Sequence, residues 1–513
     1  MQLGNLLDGA IAPLAPRWAA NRVRARAELA AANIAADAVR RYDAASFGRR
    51  TSGWDRRPGS IDFENMRGRA LLGWAGHDLV RNNKYAAAAV GQLVSMLWGD
   101  GIALQAIHPV KFIQRRAQDE LDRFAESKVD GFGDWYGHGK VSVREMIVGG
   151  ETGTLWREDA GGPDGRVQGM EGAQIDMMRT FPLADGGKVV QGVQYDKGGD
   201  RVAYWLFDQH PNDVLPGNGL YSHPVPAQYF DHMFERLRHG QSRGASWLGA
   251  VAMTLHDIND IADAKRLQAK VQACLSLIIQ PPEGQDGSPL GPNVPDGADA
   301  NGVKPLGEAM SPGMIARTKP GETVAVVNPT PAADTVAFLK HELGGISANL
   351  VPYHLMTGDV SQANYTGLRA ALNGAYARIG DWQQNEVIPL LCRPMGMRRM
   401  RRLAMQTGDP RYLAVRFGAA LPRRMIVDPM KDLLPEIIEM RAGLKTLSQS
   451  LAERGLNTDA HLAELADMNA RLDALKLVLE MDPRKLTDTG ILQAAAGGGA
   501  KPGTDPLKQS QGE

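Results

Sequence analysis

Two long stretches of helical pattern, separated by a segment that cannot be helical, constrain this chain more than any other feature. Trp247 to Ile279 holds no proline and no glycine beyond Gly249, and Ser246 stands where an N-cap belongs. Pro281-Pro282 ends that run, and residues 281–333 are rich in Gly, Pro, Asp and Asn, with a short strand expected at Thr323 to Val327. Helical pattern returns after Pro331, from Asp334 to Leu350. A polar loop then reaches Asn364, and a third helical stretch runs from Tyr365 to about Met405, where Pro389 and Pro394 should kink it. Two helices that bracket a mixed insertion project from a body and bury little by themselves, which predicts packing against further copies of the chain.

The body reads as follows. Residues 1–57 form a basic arm whose middle, Arg22 to Tyr42, is alanine-rich and helical in pattern. Phe63 to Trp98 is helical with a break near Asn82-Asn83, and Gly99-Asp100-Gly101 stops it. From Val141 to Arg236 the period shortens toward two, with aromatic and β-branched words such as Arg201 to Phe207 and glycine pairs at the turns. After Pro429 two helical segments run to about Leu479, and the tail is Gly/Lys/Gln-rich. A chain of 513 residues exceeds the roughly 250–300 that one core serves, so two or more packed regions of an α+β fold are expected.

Lys+Arg and Asp+Glu number 58 each, so no net field draws the whole chain onto nucleic acid or a membrane. That argues against a tight, non-specific DNA clamp, but not against a protein that DNA slides past. The most apolar run, Tyr85 to Trp98, is too short for a bilayer, which needs about 20 residues. No secretory signal pattern stands out, so the chain is expected in the cytosol when made. Cys274 and Cys392 sit in apolar stretches without metal-ligand spacing, as buried thiols of a reducing compartment would. No metal and no cofactor is expected.

An ordered set of short words resembles the lambda-type phage portal family. They include Arg67-Gly-Arg-Ala70, Asp78 to Tyr85 and Gly99 to Ile102, then Gln174-Ile-Asp176, Gly192 to Asp196, Val202-Ala-Tyr204, His232-Met-Phe234 and Gly240 to Gly244. Pro320-Gly-Glu322, Asn328-Pro329, Phe338, Gly358-Asp359, Ser361 and Asn364-Tyr365 carry the strongest likeness, and Asp428-Pro429, Gly443-Leu444 and Glu453-Arg-Gly455 continue it. Each word is weak alone, and their shared order from about 63 to 465 is the signal. Asn364-Tyr365-Thr366-Gly367 departs from the family, where a Ser-rich continuation is usual.

The resemblance implies a portal-type ring subunit. Its parts would be an arm at 1–57, a wing at 58–245 (a helical block, then β-rich) and a first stem helix at 246–280. A mixed α/β clip would follow at 281–333, a second stem helix at 334–354 and a tunnel loop at 355–365. The rest would be a long kinked helix and return to the wing at 366–429, a helical crown at 430–480 and a disordered tail at 481–513. It implies a ring of about twelve subunits at one capsid vertex, assembled in the host bacterial cytoplasm and carried in the virion. Double-stranded DNA would pass through without sequence specificity. The expected partners are the terminase large subunit, a head-tail adaptor, the major capsid protein and scaffold, with no membrane.

A conduit must grip weakly, because neutralising six to ten phosphates changes affinity by roughly 10³–10⁵ over a modest salt range. The loop Thr357, Gly358, Asp359, Val360, Ser361, Gln362, Ala363, Asn364 holds one acid and no base, so it would touch DNA by shape and hydrogen bonds. Lys265, Arg266, Lys270 and Lys340 are candidate stem or channel charges, with Asp257, Asp260 and Asp263 interleaved among the first three; an ordinary solvated face is the alternative. Arg398, Arg399, Arg401 and Arg402 form a dense basic run that would face DNA, pair with carboxylates or face water.

Two rival readings remain. Gly240-Gln-Ser242-Arg-Gly244 fits the G-x-S-x-G nucleophile elbow, with Asp334 and His341 or His354 following in order as partners. Against a serine hydrolase stand the charged Arg236, Arg238 and His239 upstream, and the absence of an oxyanion segment and of alternating βα units. No P-loop is present, since Asp134 occupies the place that the run ending in Lys140 would need as glycine. The chain is therefore not expected to be an enzyme. A structural adaptor outside the portal family would share the β-rich body but not the bracketed insertion.

Overall fold

The computed structural model describes residues 15–40, 49, 52–53, 59–157, 166–213, 221–274, 277–279, 315–317, 335–361, 364–424, 429–456, 458–475 and 477. The chain divides into two units, 1–59 and 60–513. In the first, α1 (Pro16–Arg40) starts earlier than the alanine-rich stretch suggested, with proline at its first position, where no N–H is needed.

In the second unit Ser60 caps α2 (Ile61–Asn82), accepting from the Phe63 N–H at 3.2 Å. The break expected at Asn82-Asn83 is a cap: the Asn83 side chain accepts from the Tyr85 and Ala86 N–H groups and starts α3 (Lys84–Leu97). Its amide also donates to the Leu255 carbonyl at 2.9 Å, tying the junction to a distant helix. Ala86, Ala89, Val90, Leu93, Val94 and Leu97 recur at helical spacing and place α3 in the main core.

Strand β1 (Ala103–Ile107) and helices α4 (Lys111–Ala125) and α5 (Trp135–Val148) follow. Here the structure corrects the strand period expected from Val141. Asp134 caps α5, and Val143, Met146 and Ile147 are fully buried on one helical face. Sheet begins at β2 (Glu151–Arg157), paired antiparallel with β3 (Arg166–Glu171). A meander of β4 (Phe181–Pro182), β5 (Lys188–Val190), β6 (Val193–Tyr195), β7 (Arg201–Leu206) and β8 (His223–Pro226) comes next, and β9 (Phe230–Phe234) returns to the free edge of β2. A second, smaller core of Met170, Ile175, Val193, Tyr204, Leu206 and Phe230 lies beneath these strands.

The helix expected from Trp247 to Ile279 is shorter at both ends. The Ser246 hydroxyl accepts from the Leu248 N–H and opens a turn, so helix α6 is Ala252–Cys274. Leu277–Ile279, a run suited to a pleated surface, forms β10, parallel to β11 (Ile315–Arg317). Residues 281–314 lie outside the described residues, as does the strand expected at 323–327.

Helices α7 (Thr335–Asn349), α8 (Tyr353–Thr357) and α9 (Tyr365–Trp382) lead into a wide π-helical segment, Gln383–Cys392, and α10 (Arg393–Thr407). Pro389 sits inside the π segment and Pro394 in the first turn of α10, so the widened helix replaces the two expected kinks. Cys392 is a completely buried free thiol, and burial pushes its pKa up to about 12.

Strand β12 (Arg416–Ala420) pairs antiparallel with β1, with Ala420 opposite Ala103, and joins the two ends of the body. Among the described residues three helices follow rather than two: α11 (Pro429–Arg441), α12 (Leu447–Glu453) and α13 (Thr458–Ala474). Gly443 and Gly455, at φ +73° and +77°, turn the chain between them. The fold is mixed helix and sheet, and among the described residues no helix is long and apolar enough to cross a membrane.

Candidate functional site

The loop between α8 and α9 is built by three residues. Gly358 adopts φ +71° and donates its N–H to the His354 carbonyl at 2.9 Å, ending α8. Asp359 then organises the turn: its Oδ1 accepts from the Ser361 N–H at 3.0 Å and from the Ser361 hydroxyl at 2.6 Å. These bonds hold its carboxyl below the usual range, with Lys340 adding to the effect from 3.7 Å. Asn364 caps α9, accepting from the Gly367 N–H at 2.6 Å. Val360 is exposed, and Thr357 closes α8 by donating to the Tyr353 carbonyl. Gln362 and Ala363 lie outside the described residues. The loop's single charge is thus answered by Lys340 of α7, a pairing of two residues that the sequence singled out separately.

Arg378, which the sequence reading did not single out, fixes the base of this loop. It donates to the carbonyls of Ala348, Asn349 and Leu350 at 3.0, 2.6 and 3.3 Å, placing a cation on the C-terminal end of α7. Its guanidinium lies 5.1 Å from the Trp382 ring centre. Trp382 stacks on Trp247 at 4.3 Å and donates to Glu235 at 2.8 Å. The i,i+4 spacing of Arg378 and Trp382 was the available signal, and it is common on any helix.

The candidate stem charges are scattered. Lys265 is half-buried and donates to Gln268, Arg266 pairs with Asp263 one turn back, and Lys270 is exposed. The basic run divides. Arg398 binds Asp231 at 2.7 Å and stacks on Trp156. Arg399, 3% exposed, is held by Glu120 through its Nε at 3.0 Å and lies over Phe124. Both face carboxylates inside their own subunit. Arg401, exposed, and Arg402, half-buried, remain of the four.

The G-x-S-x-G word is structural. Ser242 is 2% exposed; its hydroxyl donates to Asp62 at 2.7 Å and accepts from the Tyr195 hydroxyl at 2.9 Å, while its N–H donates to Asp62 at 2.8 Å. Among the described residues no histidine bonds it, and Asp334 lies outside them. The elbow that a hydrolase would expose is closed by a carboxylate that already accepts the serine's hydrogen bond.

Next to it, Arg243 is completely buried and saturates its donors. It binds Glu151 through Nε at 2.9 and 3.0 Å and through one terminal nitrogen at 2.5 Å, and it donates to the carbonyls of Gln191 (2.6 Å), Gly172 (2.7 Å) and Ile175 (3.3 Å). Glu151, also completely buried, accepts further from Arg69 at 2.5 Å, His232 at 3.1 Å and the Gly244 N–H at 2.8 Å. Burial pushes the Glu151 carboxyl up, yet Arg243, Arg69 and His232 together hold it well below its usual range. Burial lowers His232 to about 4, so its ring is neutral and donates through Nε2. Gln191 has φ +48°, a conformation that side chains rarely adopt, and Arg243 holds its carbonyl. One knot therefore joins α2, the β3-β2-β9 sheet, the meander and the lead into α6.

The family described as phage portal protein, lambda family, matches residues 47–383. That span starts before the family words found from 63 and stops short of 465. A probable portal protein of Halomonas phage phiHAP-1 is 28% identical over 211 residues, covering 40% of this chain and 39% of that protein. The chain thus spans about two fifths of the length of that curated relative. Solved structures with a similar chain include the virion of a native gene transfer agent particle (TM-score 0.36, 15% identity, 79% of this chain and 97% of that one). Another is the neck of the native particle computed with C12 symmetry (TM-score 0.37, 15% identity, 76% and 94%).

Proposed function

The chain belongs to the lambda family of phage portal proteins, and from that premise we propose that it is the ring-forming conduit through which phage DNA is packaged and ejected. The observation that carries the reading is the loop at 357–364, whose one acid is paired with Lys340 and which presents no free cation among its described residues. A ring of such loops surrounds a duplex without clamping its phosphates, and DNA can move past it under a modest force. About twelve subunits would stand at one capsid vertex of the virion, with α6 and α7 as stem helices and residues 281–333 as the clip that meets the terminase large subunit and later a head-tail adaptor. The major capsid protein and scaffold would surround the wing at 58–245. The role is structural, with DNA as cargo rather than substrate.

The test has two parts. Light scattering and negative-stain microscopy of the purified chain should give rings, near 670 kDa for about twelve copies of 55.5 kDa. Deleting residues 357–364 should leave ring assembly intact and impair packaging or retention of DNA. A stable monomer under every condition, or normal packaging by the deletion variant, would overturn the proposal.

A further inference from the structure

Away from the loop, three side chains from three segments converge on one small cavity. His77 comes from α2, Glu145 from α5 and Glu171 from the end of β3, and one ligand atom of each lies within 4.8 Å of the others. The His77 Nε2 is 3.3 Å from a Glu145 oxygen, close to the edge of a tetrahedron of donors at about 2.0–2.1 Å from a central ion. The cavity beside them is about 230 Å³ and is also lined by Gly73, Trp74 and Met178.

The backbone is shaped for this approach. A Cβ at Gly76 would lie 2.6 Å from the Val148 carbonyl oxygen, so only glycine lets α2 dock so closely on the end of α5, one residue before His77. A Cβ at Gly149 would fall 2.0 Å from a Glu145 carboxylate oxygen, so that glycine leaves the room the carboxylate occupies. The choice of partners is the second observation. Glu145 is 14% exposed, and among the described ion pairs its one basic partner is His77, while that of Glu171 is His210, at 3.6 Å. A purely structural pair of carboxylates would be expected to meet Arg or Lys, as Glu151 and Glu120 do in this same subunit. The nearby Arg69 is committed to Glu151.

We propose that His77, Glu145 and Glu171 bind a divalent first-row transition metal of the zinc class, with water completing the coordination and His210 orienting Glu171. Mixed imidazole and carboxylate donors suit such ions and disfavour magnesium or calcium, which take oxygen ligands. The ion would staple α2, α5 and the end of β3 together. It is a clip, with no reaction assigned to it.

The full-length chain, as assembled, is equilibrated with zinc and dialysed, and metal per subunit is measured by mass spectrometry. Cobalt(II) is then used as a spectroscopic probe. One zinc per subunit should be retained, cobalt should give visible d–d bands that zinc abolishes, and excess magnesium should not displace either. His77→Ala should lose retained zinc, and Glu171→Gln, at a half-exposed position, should weaken binding at least tenfold. Zinc retained equally by both variants, or no zinc retained by the parent chain, would overturn the proposal.

Discussion

Replacing Arg243 by Met removes a fully buried guanidinium while keeping most of its volume. The substitution deletes the Arg243–Glu151 contacts and leaves the carbonyls of Gly172, Gln191 and Ile175 without the donor that now reaches each. Breaking a buried ion pair by removing one partner costs about 3–5 kcal/mol. Here Arg69, His232 and the Gly244 N–H still hold Glu151, which puts the pair near the low end. The Gly172 carbonyl keeps the Ile175 N–H at 3.3 Å, and the two orphaned carbonyls add about 1 kcal/mol each after partial relaxation, so the loss is about 5 kcal/mol. Because the chain has two cores, a single two-state unfolding energy is not the right readout. Amide hydrogen exchange at 172–175, 190–192 and 242–244 is. A loss of about 5 kcal/mol corresponds to a rise of three to four orders of magnitude in exchange for amides protected through the knot. Arg243→Lys should recover only part, since an ammonium cannot reproduce the fork. A change below tenfold in the Met variant would refute the claim that this knot holds the sheets to α2.

His232 gives a pH dependence with a definite sign. Its folded pKa of about 4 lies below the ordinary 6.5, so the unfolded chain takes up the proton first and stability falls as pH drops from about 6.5 to 4. His232→Gln should flatten that part of a melting-temperature profile. Gly76→Leu should part α2 from α5, because its Cβ would sit 2.6 Å from the Val148 oxygen. A drop in melting temperature of several degrees should follow, with Gly91→Ala, which meets nothing within 4 Å, as the neutral control. Arg378→Ala should free the last carbonyls of α7 and raise exchange at 348–361 while leaving the knot's protection unchanged. Asp359→Lys turns a paired loop into one with two cations and should make DNA retention by assembled rings strongly salt-dependent. Unchanged salt dependence would count against a loop that faces the duplex.

Local chemistry was legible, and distant partnership was not. The break in helical pattern at Asn82-Asn83 and the helix that starts after Asn364 both stand in the structure, because caps act within three or four residues. The pairing of β1 with β12 crosses more than 300 residues, and Arg-Phe-Gly-Ala-Ala carries no strand signal strong enough to seek a partner. The β period expected from Val141 failed for a related reason: Val143, Met146 and Ile147 suit a strand as well as a helix, and only the Asp134 cap and the buried face decide. Arg243 was read as part of a turn, and nothing in five residues around a glycine pair reveals a carboxylate 92 positions away.

Charge shows the same limit with a functional consequence. The equal numbers of acid and base describe the chain's total, but they do not say which charges a passing polyanion meets. Glu151, Glu120 and Asp231 each hold arginine inside the subunit. Glu436 binds Lys445, Arg454 and Ser450 at the end of the body, and although burial opposes it, these bonds bring its carboxyl down to about 2. Arginines that look like a DNA-facing run are in part the counter-ions of buried acids, and their removal would act on stability before it acted on DNA. Beside the loop, Lys340 is already paired with Asp359. Under the proposed conduit role, each internal carboxylate withdraws a cation that phosphate would otherwise find, and the weak grip which that role requires would rest partly on where the acids are buried.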